Sequence, residues 1–429
     1  MTYARIEFMD PQNYEPGLWR ESDESNGNEE ENFGSWQNED IPQTVTEQKH
    51  SVVDEIKPTE VVHDLRQTIQ KLEGELKDEG DSKNKNLYLT TELSGAYLRL
   101  RSFLESTDTA SRYINFVNTR LVELERLEGF PHDYRQIVEF FKRVGLLHVP
   151  LGSKDYSISG IDPEHPEKAR EYPMPSFEQI AEAIKEHASE LEPKIKQGFN
   201  RLLLIPIALP IRRLINCYEK MLKTHYRQGK LFDSEGKPVR RLNPHRAVKG
   251  SEEYDYGNLE SKITYYPKSF SDKHGGKTKS EIIGQTLTEF PGWQVCLVED
   301  LPNLPAEGAG KTIGGRKQVE AGLTPEEYLW QTKNDSQYSG EDGATPEGWL
   351  IQAILHLEAT NKVFDDYQGK GKLSFLTGSY FPSKGAVLNM AWHRDFGEAL
   401  WHGSNPGRSS ENNSSRRSVR VRKRISSST

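Results

Sequence analysis

Residues 402–417 (HGSNPGRSSENNSSRR) hold no large apolar side chain, yet Ser418-Val419-Arg420-Val421 follows them with strict alternation. A free polar tail has no reason to return to period two. Valines at alternate positions call for a strand with one face on a core. The polar run is therefore read as a loop held at both ends, by Trp392 and Trp401 before it and by the strand after it. Loops fixed on a rigid scaffold are where binding surfaces are built. The side chains on offer, His, Arg, Asp, Phe, Ser and Asn, suit an adaptable recognition surface.

Composition limits the surroundings of this loop. Hydrophobic residues make up 34% of the 429 and the mean hydropathy is -0.78, lean for a compact fold throughout. The first 60 residues carry 15 Asp/Glu against 4 Lys/Arg, which accounts for the net charge of -9 and leaves the remainder near neutral. Residues 1–58 are expected to be a disordered acidic tail, because they bury too little apolar surface to offset ordering entropy. Cys217 and Cys296 sit in apolar runs. Two such thiols fit a reducing compartment, so the expectation is a cytoplasmic protein. The apolar run of residues 202–211 is short and broken by Pro206 and Pro210, so no membrane span is expected.

Periodicity divides the rest. Val62, Leu65, Ile69, Leu72 and Leu76 follow a heptad seam, which either packs on the chain itself or supports self-association. Residues 88–128 and 134–147 read as further helices, so 59–150 is a helical region. Residues 151–175, rich in Gly and Pro, read as a linker. Ser176 and Gln179 form a capping box that opens a helix. The run from residue 193 to 231 reads as one helix kinked at Pro206–Pro210. Residues 151–261 are thus expected to be a linker and a helical hairpin. From residue 262 to 425 the texture changes to short β-like runs, long polar loops and two helices, each opened by Thr-Pro-Glu at Thr324 and Thr345. The fold class is α+β.

Several motifs come close to known chemistry. Residues 305–312 (PAEGAGKT) imitate a phosphate loop, but Pro305 stands where a glycine must turn its N–H inward. That run, with Gly308, Gly310, Gly314 and Gly315, is read as a surface loop, and residues 273–281 as a turn into a short helix. The histidines lack metal-ligand spacing, so no cofactor or metal is assigned; loop carbonyls could still hold calcium without a readable signature. Glu299 and Asp300 are read as salt-bridged surface acids. No nucleophile is paired with a base, and the chain is read as not an enzyme. Arg416, Arg417, Arg420, Arg422, Lys423 and Arg424 offer a second reading, contact with nucleic acid. The alternation with Val419 and Val421 argues instead for the solvent face of a strand.

The layout GSYFP…VLNMAWHRDFGEALWHGSNPGRSSENNSSRRSVRV resembles the C-terminus of variable proteins diversified by retroelements, of the kind found in uncultured bacteria. These share the C-type lectin fold in its formylglycine-generating-enzyme-like (sulfatase-modifying-factor-like) form. The upstream segments HGGKTKSE, PGWQVCLVEDLPNLPAEGAGKTIGGRKQ, TPEEYL and TPEGWLIQAILHLEATN carry the resemblance back to about residue 262. It implies a C-type-lectin-like ligand-binding domain over 262–425. Miscopied adenines in AAY codons would there yield Asn, Ser, Gly, Asp, His, Arg, Tyr or Phe, but not Trp. The implied ligand contacts are His393, Arg394, Asp395, Phe396, His402, Ser404, Arg408, Ser409, Ser410, Asn412, Asn413 and Ser415, with Ser414 and Arg416 also of the reachable kind. Trp392, Trp401, Trp293, Val419 and Val421 would be fixed scaffold, as would Glu398. Formylglycine formation needs paired cysteines, and no cysteine follows Cys296. The expected partner is a protein or small molecule at the loop surface.

Overall fold

The heptad seam is spent within the chain. In the computed structural model, which describes residues 60–78, 83–106, 111–126, 129–250 and 259–423, helix α1 (Glu60–Asp78) is followed by α2 (Lys83–Ser106) and α3 (Ser111–Arg126). Val62, Ile69 and Leu72 are buried with Leu93, Tyr97 and Leu100 of α2 and Val117 and Leu121 of α3. Each such side chain is worth about 1.5–3 kcal/mol, while Leu65 and Leu76 of the seam are half-buried. Helix α4 (Phe130–Arg143) buries Phe130, Ile137, Phe140 and Phe141. Its Asp133 accepts from the Leu202 N–H at 2.8 Å and from Arg201 Nε at 3.0 Å, which ties the helical region to the segment around residues 201–205. The acidic stretch 1–58 and Arg424 lie outside the described residues.

The expected linker is an ordered hairpin. Strands β1 (Ser157–Ile161) and β2 (Ala169–Pro173) pair antiparallel, with Ile158 opposite Tyr172 and both fully buried. Pro163 and Pro166 fall in the turn, so they remove no ladder bond. Gly160 is required, since a Cβ there would stand 2.7 Å from the Ala208 carbonyl. Helix α5 (Phe177–Glu186) starts at the Ser176/Gln179 capping box as expected, and α6 (Ala188–Lys196) comes next.

The expected kinked helix is overturned. Strand β3 (Arg201–Ile205) replaces its middle, and α7 (Ile211–Arg227) starts at Pro210. A short apolar run has no period that separates a buried strand from a helix. What decides is that Gly198 (φ 101°) ends α6 and that Leu202–Ile205 find a partner strand far along the chain, at Gln294–Leu297. The prolines lie in the strand-to-helix turn, where a missing N–H costs nothing.

The remaining elements complete the two larger sheets and two further strand pairs. Strand β4 (Val248–Gly250), helix α8 (Leu259–Lys262) and β5 (Thr264–Tyr265) precede α9 (Lys279–Thr286), which opens on a Thr278/Glu281 capping box. Then come β6 (Gln294–Val298), β7 (Thr312–Ile313) and β8 (Arg316–Lys317). Gly314 and Gly315 both take positive φ between β7 and β8, the tight hairpin that only such residues close. Next are helix α10 (Pro325–Asn334), β9 (Glu341–Gly343) and α11 (Pro346–Thr360), both helices capped by the anticipated Thr-Pro-Glu starts. The last elements are β10 (Asp366–Tyr367), β11 (Leu373–Phe375), β12 (Ser379–Tyr380), β13 (Val387–His393), β14 (Glu398–Ser404), β15 (Asn413–Ser415) and β16 (Arg417–Val421).

One sheet runs β3-β6-β16-β9, so the last strand sits in its interior. The other runs β15-β11-β13-β14-β4, with β10 also on β13. Because β3 pairs with β6 and β4 with β14, residue 262 falls inside one continuous core and does not divide two. The architecture is mixed α+β. Among the described residues no helix is long and apolar enough to cross a membrane.

Candidate functional site

Strands β13 and β14 form a hairpin whose two faces have different duties. Side chains alternate across a strand, and the register sets Met390 against Trp401 and Trp392 against Ala399. That face, with Leu388, is core. The opposite face carries Asn389, Ala391 and His393 beside Glu398, Leu400, His402 and Ser404. A one-residue slip would exchange the faces and expose both tryptophans, so the register is firmly held. Arg394-Asp395-Phe396-Gly397 turns the hairpin. Gly397 (φ 63°) has Arg241 main chain 2.2 Å from where a Cβ would lie.

Four rings gather on the outer face. Tyr367 of β10 pairs alongside His393, and their ring centroids are 4.9 Å apart. His402 lies 5.6 Å and Phe396 5.9 Å from the same imidazole. Phe396 is 54% exposed, while His393 is 7% exposed. Two buried polar atoms here have no hydrogen-bond partner among the described residues, the ring nitrogen His393 Nε2 and the amide oxygen Asn389 Oδ1. The Asn389 amide nitrogen donates to Ser404 Oγ at 2.7 Å.

Burial pushes the His393 pKa down to about 4, helped by His402 and opposed by Asp395. Burial also lowers His402, against Glu398. A depressed imidazole contributes stability that is full above the unfolded value near 6.5 and is lost as pH falls toward the folded value. We therefore expect His393 alone to cost about 1–2 kcal/mol at pH 5. Chemical denaturation between pH 7 and 4 should show a shallower slope for His393→Gln than for the natural chain; equal slopes would rule the effect out.

The other anticipated contacts divide. Asp395 is exposed at the tip, and Arg408 and Ser409 are exposed on the following loop. That loop is held to α10 by the Glu326 N–H donating to the Pro406 carbonyl at 3.2 Å. Ser410 Oγ accepts from the Asn412 N–H, and Asn412 Oδ1 from Lys372 Nζ, both at 3.2 Å. Arg394 is already engaged: Nε and Nη2 reach Asp366 at 2.9 and 2.7 Å, with Asp233 at 3.4 Å.

Asn413 and Ser415, expected at the surface, are buried together with Ser414 in β15, paired parallel to β11. Strand pairing satisfies their backbone, and Ser415 Oγ meets Thr377 Oγ1 at 2.9 Å. Ser415 Oγ also donates to the Phe375 carbonyl at 3.3 Å, and Tyr328 Oη to the Asn413 carbonyl at 3.2 Å. Trp392, Trp401, Trp293, Val419 and Val421 are all buried.

Two residues of the basic end, Arg416 and Arg417, are buried as well. Arg416 bonds Asp365 and the Leu301 carbonyl, and Arg417 donates to the Tyr328 carbonyl at 2.7 Å. Arg420 lies near Asp342 and over the Tyr266 ring. Arg422 is exposed and Lys423 half-buried.

In the phosphate-loop look-alike, the Gly310 N–H donates to Glu320 at 2.6 Å, so a carboxylate occupies the turn. Glu299 is not a surface acid: it is buried against the fully buried Arg316, which also grips Glu341. Asp300 is exposed, 3.7 Å from Arg201. Among the described residues no group of three or more His, Cys, Asp or Glu is placed to hold a metal.

Tyr367 and Asn389 belong to the site without having been anticipated. Alternation within VLNMAWH could have placed Asn389 beside His393. Tyr367 arrives only through parallel pairing with a distant segment. No protein-family model, curated protein or solved structure matches the chain.

Proposed function

We propose that the chain is a non-enzymatic binding protein whose β13–β14 hairpin and 405–412 loop present the ligand-contacting surface. One observation carries the reading. The hairpin's core face is locked by buried tryptophans, while its turn exposes Asp395 and Phe396 and the following loop exposes Arg408 and Ser409. Exposed aromatic and charged side chains carried on a rigid hairpin are what a binding surface needs. A C-type-lectin-like fold for 262–425, with β3, α7 and β4 sharing its core, is part of this proposal. It is supported by a last strand seated inside the sheet, by α7 packed on α11, and by long irregular segments between short strands. Diversification by a retroelement is proposed for the exposed positions Asp395, Phe396, Arg408 and Ser409.

A random-peptide display selection against the full chain tests the surface. Binding of the selected peptides should fall at least about tenfold, roughly 1.4 kcal/mol, on joint replacement of Asp395, Phe396 and Arg408 by alanine, with Tm unchanged. Peptides that bind this variant equally well would overturn the reading. Diversification has its own check in the flanking DNA: a near-copy of the gene's 3′ end differing at adenines, beside a reverse-transcriptase gene. A flank without either would dismiss it.

A further inference from the structure

The sharpest charge contrast in the described chain lies in and after helix α7. Residues 211–250 hold 11 Lys/Arg against 3 Asp/Glu, in a protein whose net charge is -9. We infer that α7 and the 237–249 segment form a second binding surface, one that takes the phosphate backbone of a nucleic acid. This surface needs nothing from the hairpin's proposed role.

Helical spacing lays cations in one stripe. Arg212, Asn216, Lys220, Lys223 and Arg227 recur at three or four residues, so they share a face of α7. All are exposed except Lys223, which is half-buried. Leu214, Ile215, Tyr218, Met221 and Leu222, on the other side of the helix, are core. At about 1.5 Å per residue the stripe runs roughly 22 Å, the length of about six phosphate steps on one duplex strand.

Tertiary contacts widen the stripe. The 240–247 segment lies along α7: Tyr226 Oη donates to the Arg240 carbonyl at 3.2 Å, Lys223 Nζ to the His245 carbonyl at 3.4 Å, and the Ala247 N–H to Glu219 at 3.1 Å. It is fixed on its far side as well. The Asn243 N–H donates to the Gly397 carbonyl at 2.9 Å, Leu242 is buried, and β4 sets Lys249 beside Leu400. Arg240, Arg241 and Lys249 are exposed. They stand on backbone already bonded in place, so a ligand need not order it.

The acids of this block do not cancel it. Glu219 pairs with Lys223 and Glu235 with Lys237, while Asp233 is buried and accepts from the N–H groups of its own turn. Among the described residues no ion pair reaches Arg212, Arg227, Arg240, Arg241 or Lys249. Two other polyanions suit the surface less well. A helix that lies on a membrane sets an apolar face beside its cations, and the apolar face of α7 is core. The exposed large hydrophobics of the described residues, Val122, Val149, Leu151, Trp330 and Phe396, lie on neither α7 nor the 237–249 segment. An acidic protein must immobilise a flexible carboxylate for each contact, which leaves every exposed pair worth little. A nucleic acid carries its charges on the backbone and releases condensed counterions on contact.

Fluorescence anisotropy of the full chain with a labelled DNA duplex of about 20 base pairs tests this, with poly-glutamate and phosphatidylserine vesicles as competitors. The duplex is expected to bind with a Kd of about 1–100 μM at physiological salt, and log Kd to rise with log salt at a slope of about 4 to 6. Joint Arg227→Gln, Arg240→Gln and Arg241→Gln should lower that slope by about 2.7 and weaken binding at least about tenfold, with Tm unchanged. Lysine at the same three positions should keep both, because a phosphate accepts a point charge. If the triple glutamine variant melts early, the single replacements decide, each expected to lower the slope by about 0.9. No binding at low salt, or a slope that the glutamine variants leave unchanged, would overturn the assignment. So would poly-glutamate or vesicles that compete as well as unlabelled duplex. A slope flattened instead by Arg422→Gln with Lys423→Gln would move the contact to the basic end and overturn it too.

Discussion

Arg416→Ala is expected to destabilise the fold by about 3–5 kcal/mol, the cost of leaving a buried charge without its partner. Arg416 reaches Asp365 twice, Nη2 to Oδ1 at 2.6 Å and Nε to Oδ2 at 2.9 Å, and its Nη1 reaches the Leu301 carbonyl at 2.6 Å. The guanidinium also lies 3.9 Å from the Phe364 ring centroid. Asp365 is fully buried and holds Trp349 Nε1 at 2.8 Å, so losing Arg416 loosens α11 as well. Denaturant titration reads the effect as a lower midpoint. A change under about 1 kcal/mol would show that the pair contributes little beyond its own desolvation cost. Arg416→Lys should retain only part of the stability, because an ammonium cannot match the two-point geometry. Position 416 is of the kind a retroelement could rewrite, and this burial says that it is not free to change.

Trp401→Ala is expected to cost about 3–5 kcal/mol, as large-to-small changes in a core do. Trp401 is fully buried opposite Met390, on the face of the hairpin turned to the core. Phe396→Ala, a few residues away and 54% exposed, should change stability by less than about 0.5 kcal/mol. Calorimetry of the two variants side by side measures the division between scaffold and display. Two comparable losses would mean that the hairpin tip is structural, and the proposed binding surface would have no freedom to vary.

Much of this division was readable along the chain. The alternation of Val419 and Val421 announced a closing strand, and the Thr-Pro-Glu starts located α10 and α11. The capping residues of α5 and the heptad positions of α1 were equally local signals. Each depends on neighbours within a turn or two, which is what a sequence displays directly. The readings that failed depended on distant partners. Residues 201–205 became a strand because β6 was there to pair with them. Residues 413–417, among the most polar in the chain, became interior because β11 took up the backbone of 413–415, Asp365 paired with Arg416 and the Tyr328 carbonyl accepted from Arg417. Arg394 left the prospective contact surface when Asp366 and Asp233 closed around it. The sequence by itself determined which residues alternate, cap and turn. Which polar groups are buried, and which side chains of the hairpin turn stay exposed, was decided by long-range pairing in the tertiary structure, since burial belongs to the neighbours a residue acquires and not to the residue alone.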